Sequence, residues 1–319
     1  MPSAPIRPKV VAVVVTFNRC ELVTRVVTAL GRGSVLPDEI LVVDNSSTDD
    51  TVEVLRGLGA SGNALVPLTV IELDHNSGGA GGFHAGLEAA LERAADLVWM
   101  MDDDGVPADD CLELLLPHAA DPSGFRGDFI GPAVVAEHDP SRLCFPIRLP
   151  GRSTVVHQLA DVERASRDGL VADVVIPFNG VLVTRQLVKR IGLVREEFFI
   201  WGDDVEYLWR ARRAGARIAT VVAARFRHPA TDDLGTPLMF GRTTYNHSPS
   251  DLKHYCMCRN NVANLHEFVG LHGVLAFVVK TVWFYTFTRP DPGRLRTSLG
   301  AMWAGWRGDF TGHGRYLGG

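Results

Sequence analysis

Neither of the two common glycine-rich phosphate loops is present in this chain, and several other signatures are missing with them. A dinucleotide fingerprint needs G-x-G-x-x-G after the first strand. That strand ends instead in Thr16-Phe17-Asn18-Arg19, and the later Gly79-Ala80-Gly81 meets His84 where the third glycine belongs. No G-x-x-x-x-G-K-[ST] occurs either, so Rossmann-type dinucleotide chemistry and P-loop chemistry are both excluded. Cysteine is scarce, with five scattered residues, and the one close pair, Cys256 and Cys258, lacks the second pair that a zinc site needs. The thiols read as reduced, in a cytosolic setting. The opening "MPSAPIRPKV" has no apolar core, so no secretory leader is expected. No window reaches about 18 uninterrupted apolar residues, so no membrane span is expected.

What the sequence does have is apolar content, 46% over 319 residues, enough for one large α/β domain with an appendage. Charge is distributed unevenly. Residues 1–235 carry 23 Lys+Arg against 33 Asp+Glu, a net of −10, whereas residues 236–319 carry 9 against 4, a net of +5. No nucleic-acid partner is expected.

The first hundred residues alternate strand and helix. "KVVAVVVTF" (9–17), "EILVVDN" (39–45), "LTVIELD" (68–74) and "LVWMMD" (97–102) are β-branched or apolar runs of the kind buried on both faces of a parallel sheet. Helical stretches over about 20–31, 49–58 and 80–95 separate them, with Thr48 or Asp49 as the N-cap of the second. This order predicts a right-handed parallel α/β sheet. Beyond it, "DFIGPAVVA" (128–136) reads as a strand and 137–170 as loop. Residues 174–192 read as strand, turn and helix, 203–215 as helix, 216–228 as a returning strand, and the chain from 255 onward as helical.

Ligands of open α/β sheets bind beyond the carboxyl ends of the strands. Those ends read "TFNR", "DNSSTDD", "DHNSGGAGGF" and "DDDG", all polar. Asp102 and Asp104 are spaced i, i+2, so in extended chain they project to one side while Asp103 points away. Two carboxylates aimed at one point repel unless a cation lies between them, and Mg²⁺ or Mn²⁺ commonly shares such ligands with a substrate diphosphate. The alternative is a solvated acidic loop.

The motifs "VVVTFNR", "ILVVDNSSTDDT", "HNSGGAGGF", "WMMDDDG", "FNGVLVTRQLVKRIG" and "FFIWGDDVEYLWRARRAG" stand in order over about 220 residues. Together they resemble the family 2 inverting glycosyltransferases of GT-A fold. "FRHP", "FGRTTYNHSPSD" and "YCMCRNN" bring the chain nearest to the bacterial galactofuranosyltransferases that initiate the cell-wall galactan. The resemblance implies a GT-A catalytic domain over 1–235 and a helical, basic and aromatic extension over 236–319. It implies transfer of galactofuranose from its UDP donor to a polyprenyl-diphosphate-linked glycan, with a divalent cation, Mn²⁺ or Mg²⁺. Rhamnosyltransferases using dTDP-rhamnose share several motifs and remain the runner-up. A non-catalytic nucleotide-sugar-binding protein is the alternative from another class.

By the same resemblance, Asp44 would accept the uracil N3–H, with Thr16 and Asn18 lining the nucleoside pocket. Asn76, Gly78, Gly79 and Gly81 would let backbone approach the donor. Asp102 would serve ribose or diphosphate, and Asp103 and Asn179 join the substrate-binding set. Asp104 would be the principal metal ligand, with Asp102 and His228 completing the metal site. Asp204 would be the general base that an inverting transfer needs, with Asp203 and Glu206 orienting the acceptor and Trp201 offering a ring face to a sugar. The plainer readings stay open: acidic residues suit any helix start, and Trp201 and His228 also suit core positions.

In the extension, "LHGVLAFVVKTVWFYTF" (271–287) carries His272 and Lys280 and reads as too short for a span. Leu299, Met302, Trp303 and Trp306 follow at helical spacing among Arg294, Arg296 and Arg307. Such a helix suits the surface of an anionic membrane, or a cap packed on the catalytic domain. The expected setting is the cytoplasm, peripheral on the inner face of the plasma membrane.

Overall fold

The computed structural model describes residues 7–60, 65–119, 127–150, 155–230, 235–239, 241 and 243–317. Phe240 and Arg242 of the "FGRTTYNHSPSD" motif lie outside them. The chain divides into two compact units, one of Met1–Val194 with Arg210–Thr231, the other of Arg195–Trp209 with Asp232–Gly319. The segment 195–209, which the sequence reading places in the catalytic domain, groups with the helical unit.

The first unit is built on a mixed sheet. β1 (Val10–Thr16), α1 (Cys20–Leu30), β2 (Glu39–Asp44), α2 (Thr51–Ala60), β3 (Leu68–Glu72), α3 (Gly78–Glu92) and β4 (Leu97–Asp102) follow one another as strand and helix. The four strands are parallel, in the order β3-β2-β1-β4. β1 and β4 are apolar up to their closing Thr16 and Asp102 because both of their faces are covered, and each buried Val is worth about 1.5–3 kcal/mol relative to exposure. α3 comes close to β1 because Gly82 and Gly86 carry no Cβ: one at either position would strike Val15 or Val13.

The chain continues past β4 through β5 (Val106–Pro107), α4 (Cys111–Ala119) and β6 (Phe129–Ala136), and the sheet order runs on from β4 through later strands to β6, with β5 at the far edge. The stretch expected to be loop holds β7 (Asp139–Arg148), β8 (Val155–Gln158), α5 (Leu159–Ala165) and β9 (Leu170–Ala172) instead. β7 and β8 pair at the margin of the sheet; β8 and the first four residues of β7 are mostly exposed, and only Leu143, Cys144 and Ile147 of β7 are buried, so neither strand carries a long apolar run. β10 (Asn179–Thr184) lies antiparallel between β4 and β6 and leads into α6 (Arg185–Ile191). After α7 (Asp203–Arg213), β11 (Ile218–His228) runs parallel to β6.

The second unit is helical. A small hairpin of β12 (Thr236–Leu238) and β13 (Thr243–Tyr245) precedes α8 (Asp251–Phe268), α9 (Leu271–Trp283) and α10 (Pro292–Trp306). α9 runs on through a wider turn at Phe284–Thr288. The continuous helix Leu271–Thr288 therefore has 18 residues, mean hydropathy 1.3 and only 22% burial, long and apolar enough to cross a membrane by length and composition alone. The sequence reading judged this segment one residue shorter and too short to span.

Candidate active site

In the order β3-β2-β1-β4 the chain steps from β1 to β2 and β3 on one side, then crosses back to β4 on the other, and the crevice at the carboxyl ends of β1 and β4 is where open α/β sheets bind ligands. Here Thr16 closes β1 and Asp102 closes β4. The chain stops being extended after Asp102, so strict alternation ends there. Asp103, expected to point away, is buried. It accepts hydrogen bonds from the Thr16 hydroxyl (2.8 Å) and from Arg19 Nη1 (2.8 Å). The same Arg19 nitrogen donates to Asp104 Oδ2 at 3.0 Å, and His228 Nε2, at the end of β11, lies 3.2 Å from Asp104 Oδ1. Burial raises the Asp103 carboxyl above the usual range despite Arg19 and Thr16. Burial acts on Asp104 in the same sense, but His228 and Arg19 outweigh it and hold that carboxyl low. His228 answers in kind: burial pulls it down, yet Asp104 carries it up to about 10. Its Nδ1 faces the Pro229 carbonyl at 2.8 Å and Cys144 Sγ at 3.3 Å, which fixes the ring with Nε2 toward Asp104.

Among the described residues, no three His, Cys, Asp or Glu side chains converge into a metal cage. Asp102 is thus not grouped with Asp104 and His228 as a three-ligand site. The pair Asp104–His228 fits a hard divalent cation nonetheless. A carboxylate oxygen and an imidazole nitrogen suit Mn²⁺ or Mg²⁺, and such ions commonly take one or two protein ligands with substrate phosphates completing the shell. Arg19 supplies positive charge to the acidic cluster, and His228 would coordinate only as the neutral imidazole, so metal binding would release the proton that Asp104 holds on it.

Asp44 ends β2 beside Thr16 and is 1% exposed. Its Oδ2 accepts from the Ser47 N–H at 2.8 Å, while its buried Oδ1 has no hydrogen-bond partner among the described residues. A buried acceptor left unmade costs about 1–3 kcal/mol, which marks it as an atom awaiting a donor. Asn18, at φ +52°, ties the β1 and β2 loops together: its N–H donates to Ser47 Oγ (2.8 Å) and its Oδ1 accepts from the Thr48 N–H (2.7 Å). The β2 loop enters α2 at Thr51 rather than 49, with Asp49 accepting from the Thr51 N–H at 3.1 Å. Asn76 shapes the entry to α3 by accepting the Gly78 N–H at 2.9 Å. A Cβ at Gly79 would meet open space, whereas one at Gly81 would strike Ser77. Asn179, buried at the start of β10, donates to the Pro177 carbonyl at 2.9 Å and keeps Oδ1 without a partner among the described residues.

The acidic helix start belongs to the second unit. It follows a strained turn, with Phe199 at φ +64°, Trp201 at +70° and Gly202 at +84°. Non-glycine residues held there cost about 1–3 kcal/mol each, so something must hold them. α8 does so. Asn260 Nδ2 donates to the carbonyls of Phe198 (3.0 Å), Ile200 (3.1 Å) and Trp201 (2.7 Å). Asn264 Nδ2 donates to Gly202 O (2.8 Å), and the fully buried Arg259 donates to Phe198 O (2.8 Å). Trp201 packs partly buried against the α8 core. Asp203 and Glu206 are buried, and Asp204 is half-buried. Burial, then the neighbouring Asp204 charge, pushes Asp203 up to about 8. Burial raises Asp204 too, against the backbone N–H groups at the helix start. Both carboxyls of the pair are therefore pushed toward the protonated form, and they titrate together. The helix end alone does not hold Asp204 ionised; it works against burial. Arg19, Arg259, Asn260 and Asn264 are the residues that sequence reasoning passed over, although "RNN" in the apolar run of α8 is a visible anomaly.

Residues 11–134 match the model of glycosyl transferase family 2. Over 290 residues the chain is 32% identical to the galactofuranosyltransferase GlfT1 of Mycolicibacterium smegmatis, an alignment covering 90% of this chain and 93% of that protein. Among solved structures, GalNAc-T7 with UDP, GalNAc and Mn²⁺ gives a TM-score of 0.61 at 13% identity over 92% of this chain, which spans about half (54%) of that longer chain. The mannosyltransferase PcManGT from Pyrobaculum calidifontis, in complex with GDP-Man and Mn²⁺, gives 0.52 at 18% identity over 94% of this chain and 76% of its own. At such identities the solved structures speak to the fold alone.

Proposed function

The chain belongs to glycosyltransferase family 2, with the GT-A fold, and from that premise we propose that it moves galactofuranose from UDP-galactofuranose to a lipid-linked glycan with inversion. The observation that carries this reading is the likeness to GlfT1 along nearly the whole chain, helical unit included. The buried, unpartnered Asp44 Oδ1 supports a uracil N3–H as its missing donor. Thr16, Asn18, Asn76, Gly79, Gly81 and Asn179 shape the surrounding donor pocket, and Asp102 and Asp103 border the ribose and diphosphate. Asp104 and His228 would hold a divalent cation, which when bound would supply positive charge to the diphosphate. Arg19 adds a tethered positive charge beside them.

On the acceptor side, Asp204 takes the proton of the attacking hydroxyl. Asp203, whose carboxyl burial pushes toward the protonated form, orients the acceptor with Glu206, while Trp201 backs the sugar ring. The turn clamped by α8 keeps these groups fixed, so little reorganisation accompanies attack. The exposed apolar residues of α9 and α10, together with the basic character of 236–319, support work at the inner surface of a membrane.

The test is incubation with UDP-galactofuranose or dTDP-rhamnose, a polyprenyl-diphosphate disaccharide and Mn²⁺. Product is read by mass spectrometry and its anomeric configuration by NMR. A galactofuranosyl product of inverted configuration is expected. Preference for dTDP-rhamnose would overturn the donor assignment, and nucleotide-sugar binding with neither transfer nor hydrolysis would make the protein a binding module.

A further inference from the structure

The helical unit contains a cavity of about 710 Å³ that the transfer reaction leaves unused. It lies along α10, closed by the turn at Thr311–Tyr316 and by Tyr255 of α8. Arg296, Gly300, Trp303 and Arg307 follow at intervals of four, three and four residues, so they share one helix face. Gly300 places no side chain in the space between the two arginines. From the opposite wall, Arg315 stands over the rings of Tyr255 (5.3 Å) and Tyr316 (5.6 Å), while Arg307 stands over Trp303 (5.8 Å).

Counter-charge is sparse. Asp309 is the one carboxylate in the lining, and it is turned to the Thr311 N–H (3.0 Å) and hydroxyl (2.7 Å). Arg296 and Arg307 form no ion pair among the described residues, so three guanidiniums face one carboxylate. Guanidinium clusters of this kind suit the oxygens of a phosphate.

The cavity has an apolar border. Leu299, Trp303 and Trp306 form the adjoining stripe of α10, with Trp303 belonging to both faces and 60% exposed. α9 leaves Leu271, Leu275 and Val279 each more than half exposed at four-residue spacing. A soluble anion needs no such border, whereas a phosphate carrying a hydrocarbon chain does. Tryptophan and arginine together are also the pairing of a membrane interface.

We propose that this cavity binds the phosphate of a membrane lipid. Arg296, Arg307 and Arg315 hold the phosphate oxygens, and the chain leaves over Trp303, Leu299 and Trp306. The proposal rests on the membrane-surface part of the reading above, not on the identity of the sugar.

The test is flotation of the full chain, without nucleotide sugar, on three vesicle types: neutral phosphatidylcholine, the same doped with phosphatidylglycerol, and the same doped with polyprenyl phosphate. A basic residue at an anionic surface is worth about fivefold in partitioning. Arg296→Gln with Arg307→Gln should therefore lose about thirtyfold on the two anionic vesicle types, relative to neutral phosphatidylcholine, at an unchanged melting temperature. Arg296→Lys with Arg307→Lys should keep most of the binding. The doped lipid that shows the larger loss identifies the source, bulk phospholipid or isoprenoid carrier. Equal vesicle binding by the native chain and the double Gln variant would overturn the proposal while sparing the membrane reading. Absence of binding to every vesicle would overturn both. Competition by inorganic phosphate at the concentration of the lipid would also overturn it, because the apolar border would then be idle.

Discussion

Replacing Asn260 by Ala removes the group that holds the strained turn before the acidic pair. Its Nδ2 reaches three carbonyls with only two hydrogens, so at most two full hydrogen bonds are present, with the third shared. Its Oδ1 accepts a further bond from Arg259 Nε at 2.8 Å. Three buried bonds at about 1 kcal/mol net, plus the cost of the abandoned partners, come to about 3–5 kcal/mol. That is a large share of a typical stability of about 5–15 kcal/mol, but one that a chain of this size should survive. Once released, Phe199 and Trp201 can leave positive φ. The relaxed turn would then misplace Asp203 and Asp204. Urea titration should show the loss of stability, and turnover should fall at least about tenfold because a small misplacement of a catalytic group is that costly. Calorimetry should show unchanged UDP binding, because the proposed donor residues belong to the other unit. Asn260→Asp keeps the shape and the Arg259 bond but cannot donate, so it should lose turnover as Ala does. Full turnover of either variant at an unaltered urea midpoint would refute the idea that the clamp serves the site.

Asp44→Asn presents a donor or a weaker acceptor to the uracil edge and should weaken UDP binding by about 10- to 100-fold; unchanged affinity in calorimetry would remove Asp44 from the pocket. Asp104→Ala should abolish the Mn²⁺-dependent part of UDP binding, and an undiminished Mn²⁺ effect would refute its role as ligand. The Asp203 carboxyl, raised from 3.8 in the unfolded chain to about 8 in the fold, binds its proton more tightly when folded. Its contribution to stability is therefore complete below the unfolded value and is lost as pH rises toward 8, at no more than about 1.4 kcal/mol per pH unit. Asp203→Asn should flatten that decline in urea titrations across pH 4–8, and an equally steep decline in the variant would assign it elsewhere.

The parallel half of the sheet was legible because burial on both faces writes itself as an apolar run. β1 was expected over 9–17 and found over Val10–Thr16, and β4 agreed to the residue. β7 and β8 escaped because strands at the margin of a sheet, exposed over much of their length, bear Pro, Arg and Ser as readily as a loop does. The acidic cluster was legible as composition but not as geometry. Alternation holds only while the chain is extended, and the turn after Asp102 brings Asp103 to Thr16 and Arg19. Arg19 was visible only as the last letter of a strand end, because nothing in "TFNR" announces a partner 84 residues away. Asn260 and Asn264 were hidden for a different reason: their partners are backbone carbonyls, which carry no sequence signature at all.

The central claim is that this glycosyltransferase inverts with Asp204 as its base. Single-turnover transfer from UDP-galactofuranose by Asp204→Asn, at saturating donor, acceptor and Mn²⁺, tests it most directly. The substitution is nearly isosteric and removes only the ability to take a proton. The rate should fall by about 10²–10⁴, the usual worth of general-base catalysis, with UDP affinity unchanged. Near-native turnover by Asp204→Asn, with Asp203→Asn inactive, would contradict the assignment and move the base to the neighbouring carboxylate.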